Sequence, residues 1–139
     1  MHLQLAFVCN DARVTDIGQL DAHGIFNDLE APGFPAKHRM VLVLAIEWDD
    51  EEEGSYSFRV DLTDPTGKPA LTVQGHTDVH RPQANAPPPR TRLVLPLEDV
   101  VFVSPGLYRF RIRIKGEDFD GPTLWLAQTA GPTPPVPQG

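Results

Sequence analysis

The chain has 139 residues, a size that makes one domain and buries roughly two-thirds of the surface an unfolded chain exposes. Its 15 prolines and 11 glycines end or weaken helices and tilt the balance toward strands and turns. The net charge of −7 argues against nucleic acid and against an anionic membrane surface as partners, since both are held mainly by Lys and Arg.

Taken in chain order, the first strand is expected at 3–9, where Leu3, Leu5, Phe7 and Cys9 form a row backed by Ala6 and Val8. A weaker strand is expected at 19–29, with Leu20, Ala22, Ile25 and Phe26. Segment 41–48 is apolar on both sides: Leu42, Leu44, Ile46 and Trp48 form one row, and Val41, Val43 and Ala45 the other. A strand of this kind is covered on both faces, so a loop or another subunit is expected over the second row. The acidic run Asp49 to Glu53, closed by Gly54, leads into 55–62. There Tyr56, Phe58, Val60 and Leu62 alternate with Ser55, Ser57, Arg59 and Asp61, giving a dry and a wet face.

Asp64-Pro65-Thr66-Gly67 suits a type I turn and joins this strand to the next, at 70–79. Segment 81–92 is rich in proline and favours polyproline II or disorder. A strand follows at 92–97, and Val100 to Val103 are poor helix residues. Pro105-Gly106 suits a type II turn before 107–115, where Tyr108, Phe110, Ile112 and Ile114 alternate with Arg109, Arg111, Arg113 and Lys115. Residues 115–122 read as the last hairpin loop and 123–128 as the last strand. The fold expected is all-β: an antiparallel β-sandwich of about eight short strands, immunoglobulin-like or jelly-roll-like, with little or no α-helix. The domain spans 1–129, followed by a Pro-rich tail at 130–139.

Several segments together resemble a bacterial family of small proteins of unknown function. They are Cys9-Asn10-Asp11-Ala12, His23-Gly24-Ile25-Phe26, Phe34-Pro35-Ala36-Lys37-His38, Asp64-Pro65-Thr66-Gly67-Lys68-Pro69 and Pro105-Gly106-Leu107-Tyr108-Arg109-Phe110. The resemblance runs over about residues 3 to 128 and implies a stand-alone β-sandwich. It brings no assigned activity and no functional residue.

Candidate sites come from patterns of burial and charge. Ala6, Val8, Val41, Val43 and Ala45, with Trp125 nearby, make a candidate interface between copies. Arg59, Arg109, Arg111, Arg113 and Lys115 make a basic row, read either as an anion or acidic-partner surface or as a solvated sheet face. Asp49 to Glu53 and Glu117, Asp118 and Asp120 can pool carboxylates, but neither run has the spacing of a calcium loop. His76 and His80, four apart on a strand, lie about 13 Å apart and too far to share a zinc ion. The lone Cys9 reads as a small core hydrophobe rather than a nucleophile. Pro87-Pro88-Pro89-Arg90 reads as a stiff connector or as a ligand for a Pro-recognising domain.

No serine-nucleophile elbow and no phosphate-binding loop is present, so neither catalysis nor a cofactor is expected. The start lacks a basic and then apolar leader, and a cytoplasmic location is the expectation. The function expected is a non-catalytic interaction module that forms a homo-oligomer or meets another protein. The alternative is a sandwich that binds a small ligand, a carbohydrate through Trp48, Trp125 or Phe119, or a divalent cation.

Overall fold

Strand-forming residues separated by turn residues produce nine strands and no helix among the described residues, which in this computed structural model are 1–129. The expected tail at 130–139 lies outside them. The strands are β1 (His2–Val14), β2 (Leu20–Phe26), β3 (Asp28–Ala31), β4 (Ala36–Glu47), β5 (Gly54–Thr63), β6 (Pro69–Val79), β7 (Arg90–Phe102), β8 (Gly106–Ile114) and β9 (Glu117–Gln128). The smaller sheet has the order β2-β1-β4-β7 and the larger the order β3-β9-β8-β5-β6.

Two differences from the expected strands have local causes. The segment expected as one strand at 19–29 is two, because the chain leaves the smaller sheet at Asn27 and enters the larger. There β3 runs parallel to β9, the one parallel pairing in an otherwise antiparallel set, and the Asn27 carbonyl accepts the Trp125 N–H at 2.8 Å. The hairpin loop expected at 115–122 is only the pair Lys115 and Gly116, at φ +51° and +76°. Positive φ at both positions gives the tight turn that matches strand twist. Residues 117–122 therefore belong to β9, and Gly121-Pro122 form a bulge where the register skips between Arg109 and Arg111. Gly121 is required there: a Cβ would lie 2.8 Å from the Phe110 Cβ and 3.0 Å from its carbonyl oxygen.

The turns behave as their residues dictate. At the β5–β6 turn the Gly67 N–H donates to the Asp64 carbonyl at 2.9 Å. The Asp64 carboxylate accepts the Thr66 N–H, the Thr66 hydroxyl and the Lys68 N–H at 2.8, 2.6 and 2.9 Å. Ahead of β8, the Tyr108 hydroxyl donates back to the Ser104 carbonyl at 2.8 Å, while its ring packs edge-on against Phe102. This is a tyrosine corner. Together with β4 beside β7, β5 beside β8 and β3 parallel to β9, it makes the sandwich immunoglobulin-like rather than a jelly roll.

The core fills the space between the sheets. The dry rows of β5 and β8 are buried as expected: Phe58, Val60 and Leu62 meet Tyr108, Phe110, Ile112 and Ile114. Leu42, Leu44 and Ile46 of β4 face them from the other sheet, with Phe102 and Leu124 in the same cluster.

Candidate functional site

The outer face of the smaller sheet carries the second apolar row, and a bulge decides who belongs to it. Leu3 pairs with Ile46, but Leu5 pairs with Ala45, so the extra residue Gln4 shifts the phase of β1. Beyond it Ala6 and Val8 stand opposite Leu44 and Leu42 and face the main core, where Val8 is fully buried. They are therefore not part of the outer row, contrary to the strict alternation read over 3–9. Leu5, Phe7 and Cys9 take their place, beside Ala45, Val43 and Val41.

The row is covered by its own chain. Cys9, Val41 and Val43 form a second buried cluster beneath Phe7, Ala12, Leu20, Ala22 and Val94, and Ala45 is buried as well. Side chains of neighbouring strands do this covering, rather than a loop. What stays open is Leu5 at 52 % and Ile25 at 60 % exposure. Ile25 stands opposite Cys9, and Leu5 opposite Ala45, so the open groups continue the buried row across the strands. Three ion pairs link strands of this sheet: Arg13–Asp21 at 3.4 Å, Arg39–Glu98 at 3.0 Å and Arg90–Glu47 at 3.2 Å. The Cys9 thiol donates to the Asp11 carbonyl at 3.3 Å, and burial pushes its pKa up.

Trp125 is 53 % exposed between the buried Leu124 and Leu126. It stands on β9 of the larger sheet, beside Leu107 and Asp28. It is therefore on the opposite side of the sandwich from Val41 and Val43 and cannot join their surface. Of the other aromatic candidates, Trp48 is buried, stacked 5.0 Å from Tyr56, and its Nε1–H donates to Thr91 at 2.9 Å. Phe119 is half-buried against the core.

The basic row is present on the outer face of the larger sheet, interleaved with acids. Arg59 pairs with Arg113, Asp61 with Arg111, and β9 brings Asp118 and Asp120 to the other flank. Arg59–Asp61 at 3.0 Å and Arg113–Asp118 at 3.2 Å are ion pairs. Burial pushes the Asp61 carboxyl up, but hydrogen bonds from Thr72 and Arg59 outweigh it and hold it below its ordinary range. Arg109 stands between Thr63 and Thr123. Lys115 leaves the row, because the tight turn points it at Glu52 at 2.8 Å and over the Tyr56 ring at 5.1 Å. Two of the four arginines are thus ion-paired, Arg111 lies between Asp61 and Asp120, and Arg109 has threonines on both sides.

In the acidic loop Asp49, Asp50, Glu51 and Glu53 are exposed and Glu52 alone is turned inward. Glu52, only 6 % exposed, meets the Met1 ammonium at 2.7 Å as well as Lys115, and accepts the Asp49 N–H at 2.9 Å. Burial alone raises its pKa, yet these partners overcome that and bring it down to about 2. Asp49 shares the ammonium at 2.8 Å, above an open depression that Glu51, Tyr56 and Glu117 also line. Glu117, Asp118 and Asp120 are spread along a strand instead of pooled in a loop. Among the described residues, no group of three or more His, Cys, Asp or Glu side chains is gathered to hold a metal ion.

The profile of a family of unknown function, DUF6941, matches residues 4–124, from β1 into β9. The chain belongs to this family. The matched span includes the tyrosine corner, both core rows and the whole apolar face of the smaller sheet, whereas Trp125 falls just beyond it. No curated protein matches the chain.

Proposed function

We propose that this member of the family is a non-catalytic interaction module that self-associates through the outer face of its smaller sheet. One observation carries the reading: Leu5 and Ile25 are left open in line with a buried apolar row on the outside of a sheet. Outer faces of antiparallel sheets are normally polar, and the larger sheet of the same chain follows that rule with its Arg and Asp residues.

Charge supports a second copy as the occupant. The chain carries −7, so two copies repel wherever the excess acids lie. The three ion pairs of the smaller sheet keep its face near neutral, which removes that repulsion where the apolar groups meet.

Light scattering over a concentration series tests this. The wild-type chain is expected to exceed the monomer mass, and Ile25→Asp to lose the contact without unfolding, because Ile25 is exposed. Val43→Asp is the wrong probe, since Val43 is fully buried and a charge there unfolds the sheet. A wild-type chain that stays monomeric at tens of micromolar ends the reading.

A further inference from the structure

Four strands form the edges of the two sheets: β2 and β7 of the smaller, β3 and β6 of the larger. An open edge invites another strand to pair, and folded proteins usually block it. Three of these edges are blocked. β7 has Pro96 in mid-strand, with no N–H to give, and Asp99 at φ +52° in a bulge. β3 is only four residues long and carries Asp28 and Glu30. β2 contains Gly24 at φ +68°, which breaks its extended line.

β6 has one such device, at its very start, where Ala70 is an extra residue between the pairs Leu62–Leu71 and Thr63–Pro69; from Leu71 to Val79 it pairs with β5 without interruption. It is 11 residues long, its proline is its first residue, and Asp78 is its only Asp, Glu, Lys or Arg. Thr72, Gln74, His76 and Asp78 are exposed. Its one strand partner is β5, and among the described residues no backbone hydrogen bond outside the strand ladders reaches residues 69–79.

We propose that the β6 edge is a second contact between copies, in which β6 pairs antiparallel with β6 of another chain about a two-fold axis at Gln74. Gln74 is the midpoint of Pro69–Val79, and this register pairs the regular stretch Leu71–Thr77 with itself, clear of the irregularity at Ala70. It sets Gln74 against Gln74, Val73 against Gly75, Thr72 against His76 and Asp78 against Ala70. The two Asp78 carboxylates then lie about 27 Å apart along the strands, beyond the screening length of about 8 Å. A chain of net charge −7 thus offers its own copy an edge free of like-charge opposition. Leu71 and Val73, half-buried at the open side of the sandwich, gain cover in the pairing. The contact uses other residues than the smaller-sheet face, so the two can form together and build assemblies larger than a dimer.

The experiment is carried out in Ile25→Asp, where the sheet-face contact is removed. That variant is expected to keep twice the monomer mass through β6. Adding Gln74→Glu sets two carboxylates directly opposite each other and is expected to give monomer. In the single chain the same change places a carboxylate beside Arg59, the β5 neighbour of Gln74, so folding is preserved and circular dichroism verifies it. Mixing that protein with Ile25→Asp, Gln74→Lys is expected to restore a dimer containing one of each. The edge contact is overturned if Ile25→Asp alone is monomeric, or if Gln74→Glu leaves the mass unchanged. The sheet-face reading falls separately, if Ile25→Asp has the same mass as wild type.

Discussion

At Glu52 a nearly buried carboxylate sits between two cations, the Met1 ammonium and Lys115. Its folded pKa of about 2 lies below the ordinary 4.5, so the unfolded chain binds the proton more readily. The stabilisation is therefore fully present above about pH 4.5 and is lost as pH falls toward 2. The shift corresponds to about 3 kcal/mol. Urea midpoints measured from pH 7 down to pH 2 are expected to fall across this window. Glu52→Gln is expected to start lower at pH 7 and to show a flatter acid limb; equal acid limbs in the two proteins would remove Glu52 as the cause. Tyr108 is a second residue of this weight. Its buried hydroxyl donates to the Ser104 carbonyl and accepts the Ser104 N–H at 3.3 Å. Tyr108→Phe is expected to cost about 1–2 kcal/mol in urea unfolding, and an unchanged midpoint would mean that the corner bond is not stabilising.

Elements were legible where period two runs unbroken. The dry and wet rows of β5 and β8 could be read directly, because no extra residue interrupts either strand at its core. β1 was not legible in the same way. The bulge at Gln4 depends on pairing with β4, and nothing in Leu3-Gln4-Leu5 announces it, so the faces of Ala6 and Val8 came out reversed. Strand ends were misplaced for a related reason: Gly121 and Pro122 resemble punctuation but lie within the bulged β9, and β7 runs on through the bulge at Asp99 to Phe102, past the end expected at Leu97. For the candidate site, the sequence pointed to the second row of β4. It could not show that Phe7 and Val94 close over that row and leave Ile25 open. The β9 bulge yields its own test. Gly121→Ala drives a Cβ against Phe110 and is expected to cost about 1–3 kcal/mol, whereas Gly33→Ala, with nothing within 4 Å, is expected to be near neutral. Thermal melts of the two variants make the comparison, and equal melting points would refute the close packing at Gly121.

At the scale of the whole molecule, the sandwich has two unlike outsides. One is a lattice of Arg and Asp with two ion pairs in it, and the other is an apolar stripe bordered by ion pairs. The core needs neither arrangement, since the buried rows of β4, β5 and β8 already fill it. The sole cysteine of the chain is at the centre of the apolar side, fully buried beneath Phe7 and its neighbours. A thiol reagent in solution can reach it only after that layer lifts, so the rate of modification is a clock for opening. Under the proposed self-association the clock also registers company, because a second copy seated on the stripe would have to leave first. Labelling of Cys9 is therefore expected to slow as the protein is concentrated and to lose that dependence in Ile25→Asp.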